Sequence, residues 1–307
     1  MQGGTRGKIA KRAEETIGNL KKAGIERAGA LTFPNTDKRA AKFAKIPPMT
    51  QKNQVDTAID ELTRVWNLPR ASVLISVTGG AQAFSLDKRL TASFQRGLKA
   101  AVRTTKACVI TGGTKSGCME LVGKTLEDEE HLVLLGVSPF DKVHGSKELD
   151  ESKYLNIHNY PLPQKAGPGA KEAAPALDPN HTHHILVSNV GFGGEIKTRN
   201  LIEEAVCREK PDEDDAEGGD DAAGSRHRPT LVSPMVMLVV GGGYGTVATV
   251  LSALETEGGS SACPVVLVPE AKGAGWYIHE AVHLPAPTGG ADLPENPDPN
   301  PNPNPNP

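Results

Sequence analysis

The sequence predicts an α/β fold, a doubly wound and mainly parallel sheet with helices on both faces, from three observations. Short apolar runs recur along the 307 residues, segments with helical periodicity separate them, and glycine clusters follow several of the runs. Continuous apolar runs are typical of strands that a parallel sheet buries on both faces. Alternation of strand and helix then favours three layers, with ligands beyond the carboxyl ends of the strands.

Each predicted strand is a short run rich in β-branched residues. The strands cover residues 73–77, 107–111, 132–137, 184–187, 235–240 and 264–268. Helical periodicity covers residues 56–66, 86–104, 117–128, 196–207, 246–257 and 274–282. In 86–104, for example, an apolar residue recurs every four positions from Leu90 to Val102 and forms one stripe along the helix.

The predicted domain organisation is one sheet domain, 30–282, between a basic extension, 1–29, and a tail. Residues 1–52 hold twelve Lys and Arg against four Asp and Glu, and we interpret 12–23 as a solvated amphipathic helix. A Pro-rich insert, 161–176, and an acidic insert, 209–229, lack the apolar content that would offset their ordering entropy. The Pro/Asn-rich tail, 283–307, is expected to be disordered for the same reason.

Composition excludes several functional classes. No run reaches the roughly 18 apolar residues of a membrane span, so the chain as given is expected to be soluble. A net charge of −3 and an aromatic content of 4% give no support for a nucleic-acid partner. The cysteines have neither CxxC nor Cys/His spacing, which favours a reducing, cytoplasmic compartment over a disulfide framework or a zinc site. They are Cys108, Cys118, Cys207 and Cys263.

Glycine clusters follow four of the predicted strands. They are VTGGAQAF from Val77, ITGGTKSG from Ile110, SNVGFGGE from Ser188 and VVGGGYGT from Val239. Glycine leaves backbone N–H groups uncovered by a Cβ, and a helix that starts behind it adds its dipole, so a phosphate can approach. Four such loops at one edge predict a phosphate-bearing ligand. The GxGxxG and GxxxxGK spacings are both missing, which disfavours a nicotinamide cofactor and NTP hydrolysis.

Several motifs in order resemble one known family. The stretch from Leu74 to Gly123, with its SVTGG, RGL and ITGG blocks, resembles the cytosolic N-terminal region of TRPM, the melastatin-type transient receptor potential cation channels. LDPNHTHHILV from Leu177 and VVGGGYGT from Val239 also match, and the similarity covers residues 30–282. The resemblance implies a Rossmann-like fold of the SLOG superfamily. Its blocks look most like the ADP-ribose-gated branch.

The resemblance therefore implies a non-catalytic cytosolic sensor that binds ADP-ribose or a related nucleotide diphosphate and requires no cofactor. Arg199 lies near the family's phosphate-contacting arginine, with Lys197 as the alternative if the loop is shorter, and Lys272 replaces a second arginine. Phe192 stands where an aromatic ring packs on adenine, whereas Tyr244 faces either ligand or solvent. The loop positions expected to face phosphate and ribose are Thr78, Gly79, Gly80, Gly112, Gly113, Thr114, Gly242, Gly243, Gly245 and Thr246.

Two alternative functions stay open. The related phosphoribohydrolases carry PGGxGTxxE, whose glutamate acts on the ribosyl bond, but here Gly241 and Thr249 occupy the proline and glutamate positions. Threonine cannot act as an acid or base near neutral pH, so a hydrolase is disfavoured. The other alternative is a piece or remnant of a TRPM-like channel that acts through subunit contacts, as a homo-oligomer or with channel subunits.

Three further groups of polar residues have a functional and a structural interpretation. His181, His183 and His184 suggest a metal, since alternation would put the first two on one face, but without a completing ligand we prefer histidines satisfied by the backbone. At a helix N-terminus the pKa of Cys118 could fall, yet a nucleophile would need a neighbouring base. Glu195 is explained as a general base or as an acid that complements a helix dipole.

Overall fold

A computed structural model describes residues 3–69, 71–81, 86–161, 174–208, 234–254 and 263–284. The acidic insert predicted at 209–229 lies outside the described residues, as do most of the Pro-rich insert and nearly all of the predicted tail. Side chains are described from residue 8 onwards. The predicted division at residue 30 falls within the first strand, which begins at Arg27.

The described strands form one sheet of nine. All six predicted strands are confirmed, with ends that differ by up to two residues. The strands are β1 (Arg27–Thr32), β2 (Ala41–Ile46), β3 (Leu74–Gly79), β4 (Cys108–Thr111), β5 (Leu134–Pro139), β6 (Ile157–Asn159), β7 (His183–Val187), β8 (Met235–Val240) and β9 (Val265–Val268).

The predicted helices are also present. The N-terminal one is much longer than the predicted 12–23 and begins at Gly3. The helices are α1 (Gly3–Lys22), α2 (Lys52–Trp66), α3 (Lys88–Thr105), α4 (Gly117–Leu126), α5 (Ser146–Asp150), α6 (Ile196–Cys207), α7 (Tyr244–Leu254) and α8 (Gly273–His283).

The strand order in space is β6-β1-β2-β7-β5-β4-β3-β8-β9. Every recorded pair is parallel except β1 with β2, so the carboxyl ends of β2, β3, β4, β5, β7, β8 and β9 share one edge. The predicted doubly wound, mainly parallel sheet is confirmed. Because strands of such a sheet are covered on both faces, β5 and β7 are buried at every residue.

The sheet has a hydrophobic core on each face, since alternate strand residues point to opposite sides. Leu74 and Ile110 lie in the core that contains buried residues of α2 and α6. Ile75 and Val109 lie in the core that contains α3 and α4. Leu20 of α1 is fully buried in the first of these cores, so the C-terminal part of this helix packs with the sheet domain.

Three strands and one helix escaped prediction. β1, with the sequence RAGALT, holds two alanines and a glycine, all weak strand formers. β2 reads AKFAKI, with Lys42 and Lys45 interrupting its apolar residues. β6 and α5 have only three and five residues.

Among the residues that the structure describes, no helix is long and apolar enough to cross a membrane.

Candidate functional site

The candidate site lies where the order of strands reverses. From β3 the chain continues to β4, β5 and β7 on one side of the sheet and then returns to β8 on the other side of β3. In doubly wound sheets, ligands bind in the crevice outside the carboxyl ends of the strands at such a point. The loops after β3 and β8 border this crevice.

The loop after β3 touches the end of β8. The Gly80 N–H donates a 3.1 Å hydrogen bond to the Val240 carbonyl oxygen. A Cβ at Gly79 would overlap with the same carbonyl oxygen and would lie 3.0 Å from the Cys118 Sγ atom. Glycine at position 79 therefore allows the two strands to approach closely at the crevice.

The N-terminus of α4 reaches the same loop. The Cys118 N–H donates a 2.8 Å hydrogen bond to the Gly80 carbonyl oxygen. Gly117 has a φ of +53°, and a Cβ there would overlap with that oxygen. The glycine cluster after β4 is thus joined to the cluster after β3 through the first turn of a helix.

The loop after β8 contacts α8 and leads directly into α7. The Ala274 N–H donates to the Gly242 oxygen at 2.8 Å and the Gly275 N–H to the Gly241 oxygen at 3.2 Å, so loop carbonyls occupy these two N–H groups of α8. By contrast, Gly243 and Gly245, at the start of α7, are exposed with open space around them. The first N–H groups of a helix have no intrahelical acceptor and attract anions.

Seven of the predicted ligand residues lie on these two loops and the start of α7. They are Gly79, Gly80, Gly242, Gly243, Tyr244, Gly245 and Thr246. Thr78, the residue before them in β3, is 7% exposed. Lys272 is exposed and immediately precedes Gly273, where an added Cβ would overlap with the Gly242 carbonyl oxygen. The structure therefore brings most of the predicted residues to one crevice.

The cluster of Gly112, Gly113 and Thr114 is placed differently. The Gly113 N–H donates to the Thr111 hydroxyl at 2.9 Å, and a Cβ at Gly113 would lie 2.5 Å from the Gly136 Cα. Thr114 is 8% exposed and forms an antiparallel bridge with Leu177. The contacts recorded for Gly113 and Thr114 are with protein groups, and their predicted contact with a ligand stays a prediction.

Arg199 lies beneath the crevice and is bound internally. It is 6% exposed; its Nε donates to Glu203 Oε1 at 2.9 Å, and its Nη2 donates to the Ser76 hydroxyl at 3.0 Å and the Val77 carbonyl at 3.1 Å. The Ser76 hydroxyl in turn donates to Glu203 Oε1 at 2.7 Å. A buried carboxylate thus balances the charge of the arginine predicted to contact phosphate.

Two aromatic side chains border this edge and are open to solvent. Phe192, on the loop between β7 and α6, is 73% exposed, and Tyr244 is 89% exposed. Either ring is free to stack on a planar ligand group, because its faces are not covered by the core. The alternative cation Lys197 is exposed in the first turn of α6.

Comparison with known proteins identifies the family. A family model described as SLOG in TRPM matches residues 41–277. The chain belongs to this SLOG family of TRPM proteins. Similar relatives include transient receptor potential cation channel subfamily M member-like 2 of Nematostella vectensis, 32% identical over 68% of this chain and 13% of that protein. Member 2 of the same subfamily in Mus musculus is 27% identical over 84% of this chain and 16% of that protein.

A third relative, the Drosophila melanogaster channel named trpm, is 29% identical over 62% of this chain and 9% of its own length. The resemblance predicted from the sequence is therefore confirmed at the level of the N-terminal SLOG domain. The chain spans less than a fifth of the length of each of these relatives.

In this SLOG domain a buried threonine occupies the position of the hydrolase glutamate. Thr249 is 3% exposed, and its hydroxyl donates a 2.8 Å hydrogen bond to the Gly245 carbonyl oxygen of its own helix. The other candidate for a general base, Glu195, has a raised pKa because burial disfavours its charged form. Its Oε2 atom has no hydrogen-bond partner among the described residues.

The interpretation of the three histidines requires a correction. His181 and His183 do not share a face, because β7 begins only at His183, whose ring packs 5.0 Å from that of Trp66. The ring of His181 instead lies 5.7 Å from that of His184. Side chains rather than the backbone satisfy His181, namely Asp178 and Thr111. Within the described ranges, no three His, Cys, Asp or Glu residues are placed to hold a metal.

The Cys118 thiol is fully buried at the start of α4. Burial raises the pKa of Cys118 to about 12, although Arg199 nearby opposes the shift. A thiol with such a pKa is protonated at neutral pH and is a poor nucleophile. The dipole of α4 therefore does not activate this residue.

Sequence reasoning missed the residues that support the crevice from inside the SLOG domain. Glu203 follows Arg199 by four positions in α6, and this i,i+4 spacing was a usable signal. No sequence signal pointed to Ser76, because it lies within the apolar run of β3. Gly117 and Gly273 have positive φ values and lie against the neighbouring loops. In the sequence, however, both look like ordinary glycines at the start of a helix.

Proposed function

We propose that this chain is a non-catalytic, cytosolic domain that binds ADP-ribose or a related nucleotide diphosphate at the crevice between β3 and β8. The observation that carries the proposal is the meeting of the two glycine loops and the open start of α7 at the point where strand order reverses. Two phosphates of a diphosphate would face uncovered N–H groups and a helix dipole there.

Two features at this edge of the sheet support a nucleotide rather than inorganic phosphate alone. Lys272 supplies an exposed cation beside the loop after β8, and Phe192, on the loop after β7, supplies an exposed ring for a base. The relatives are named as channels, and a sensing role within such a protein is part of the proposal.

The test is isothermal titration calorimetry with ADP-ribose, AMP, ATP and NAD. We expect ADP-ribose to bind more tightly than AMP, since the second phosphate adds contacts with the loops. Gly245→Val should weaken binding by about tenfold, because it covers the open N–H groups where a Cβ meets nothing. Gly97→Val is the matched control, since Gly97 is an exposed helical glycine with the same open space. No heat with any ligand at millimolar concentration would refute the proposal.

The non-catalytic part of the proposal rests on Thr249. A threonine that donates its hydroxyl to a helix carbonyl cannot stabilise an oxocarbenium-like transition state. Incubation with AMP or ADP-ribose should release no free base or ribose phosphate by chromatography. If the wild-type chain releases free base or ribose phosphate and the Gly242→Val variant does not, the chain is instead a hydrolase.

Self-association at the outer edge of the sheet is a second candidate function. Among the described strands, β9 is the last on its side of the sheet; it pairs with β8, and its Val266 is 49% exposed. Trp276 and Tyr277 of α8 are 42% and 66% exposed. An edge strand with apolar side chains is a template for pairing with another chain. Light scattering should detect a dimer that Val266→Lys disrupts, and a wild-type monomer at high protein concentration would exclude this function.

A further inference from the structure

A buried series of hydrogen bonds connects the segment before β7 with the loop after β4. The Asp178 Oδ2 atom lies 2.8 Å from His181 Nδ1, and His181 Nε2 lies 2.7 Å from the Thr111 hydroxyl oxygen. The Gly113 N–H donates to that hydroxyl oxygen at 2.9 Å. Asp178, His181 and Thr111 are 1%, 1% and 0% exposed. We call these four residues the relay.

The chemistry of the groups fixes the direction of every hydrogen bond in the relay. A carboxylate only accepts, so His181 Nδ1 carries the proton and donates to Asp178. The Nε2 atom of the neutral ring then accepts from the Thr111 hydroxyl, whose oxygen remains free to accept from Gly113. If His181 carried both protons, the Thr111 hydroxyl would lose its acceptor in the interior. The relay is complete only with the Nδ1–H tautomer.

The same segment also holds the loop through its backbone. The Asp178 N–H donates to the Gly113 carbonyl oxygen at 3.0 Å, and the Lys115 N–H donates to the Ala176 oxygen at 2.7 Å. Both polar groups of the Gly113 backbone are therefore occupied, the N–H by the Thr111 hydroxyl and the carbonyl by the Asp178 N–H. A buried loop with both groups satisfied has a single well-defined conformation.

The fixed loop leads straight into the crevice. α4 begins at Gly117, four residues after Gly113, and the Cys118 N–H donates to Gly80 at 2.8 Å. On its inner side, α4 packs against the relay, since a Cβ at Gly123 would overlap with the Asp178 carboxylate. A displacement of Gly113 would therefore move the start of α4 and, with it, Gly80.

We propose that His181, oriented by Asp178 and acting through Thr111, is a positioning residue that sets the geometry of the nucleotide-binding crevice. This inference rests on the proposed function for its ligand, but the state of the relay can be observed without a ligand. None of the three side chains reaches solvent, so they act through Gly113 and not by contact with the nucleotide. His181 thus positions the glycine loops without contacting the ligand.

The test uses the full chain and three substitutions. Thr111→Val removes the hydroxyl, Thr111→Ser keeps it, and Thr125→Val is the control, because Thr125 is a buried residue of α4 whose hydroxyl donates only to the Leu121 carbonyl. Each valine variant loses one buried hydroxyl, but Thr111→Val also leaves His181 Nε2 and the Gly113 N–H without their partner and should lose more stability. Only Thr111→Val should accelerate hydrogen exchange of the Gly113 amide, by about tenfold over the control.

Affinity and tautomer complete the test. ADP-ribose should bind about tenfold more weakly to Thr111→Val, and Thr111→Ser should restore the affinity, whereas Thr125→Val should bind like the wild type. Long-range ¹H–¹⁵N spectra should show a proton on His181 Nδ1 and none on Nε2. Equal affinities of the two valine variants would overturn the inference, and so would a protonated Nε2.

Failure of the proposed function has a different signature. A wild-type chain that binds no ADP-ribose overturns the nucleotide site. The Gly113 exchange rate then decides whether the relay positions the loop, and an unchanged rate in Thr111→Val would overturn that claim as well.

Discussion

Replacement of Gly79 by alanine tests the close approach of β3 and β8, on which the crevice depends. The register pairs Gly79 with Val240 at the ends of the two strands. An alanine Cβ would overlap with the Val240 carbonyl oxygen, a backbone atom that cannot rotate away. The strands must separate there, and the 3.1 Å hydrogen bond from Gly80 to Val240 would be lost.

The cost of this change follows from three contributions. Overpacking in a filled core costs about 1–3 kcal/mol, and a lost backbone hydrogen bond costs about 1 kcal/mol. The reduced freedom of the unfolded chain returns about 0.4–1 kcal/mol. The net expectation is a loss of about 2 kcal/mol in the free energy of unfolding.

Gly97→Ala is the matched control, and it should raise the free energy of unfolding rather than lower it. Gly97 lies inside α3 and is exposed, and a Cβ added to it would meet no heavy atom within 4 Å, so alanine should stabilise the helix by about 1 kcal/mol. Urea unfolding of both variants beside the wild type measures the difference, which should be about 3 kcal/mol. Equal unfolding free energies for the two variants would refute the claim that β3 and β8 touch at Gly79.

Three other predictions concern charge and exposure. Burial lowers the pKa of His183 to about 3 from 6.5. Between these pH values the unfolded state binds more protons than the folded state, so the stability that is present above pH 6.5 is lost as the pH is lowered. Between pH 7 and 5 the loss should be about 2 kcal/mol, and His183→Phe should reduce it in urea unfolding; an unchanged pH slope contradicts this. Glu203→Leu leaves Arg199 unpaired and should cost about 3–5 kcal/mol, against less for Glu203→Gln, and wild-type stability of the leucine variant would contradict the buried pair. Phe192→Ala should weaken ADP-ribose binding about tenfold through lost base stacking but leave the unfolding free energy unchanged, since the ring is 73% exposed; unaltered affinity argues against stacking.

The fold was predictable where the physics of the sequence is local and periodic. β5 and β7 are buried at every residue, as expected for strands of a doubly covered parallel sheet, and the stripe from Leu90 to Val102 marks α3. β2 was missed because its two lysines break the apolar run, although its other four residues are buried. The pairing of β2 with β7 decides that burial and is a long-range contact.

The candidate site was predictable only in part, for a similar reason. The glycine clusters in the sequence predicted the loops. The strand order of the folded sheet then brings Gly80 and Gly242 to one crevice. The internal pairing of Arg199 with Ser76 depends on two elements far apart in the sequence. Nothing in the local pattern around His181 indicates that its partner is Thr111, seventy positions away.

The most direct test of the central claim is a titration of ¹⁵N-labelled chain with ADP-ribose, followed amide by amide. If a nucleotide diphosphate binds between β3 and β8, the signals of Gly80, Gly243 and Gly245 should shift together and saturate, while that of Gly97 stays in place. Shifts that are absent, or confined to amides remote from the loops after β3 and β8, would contradict the account.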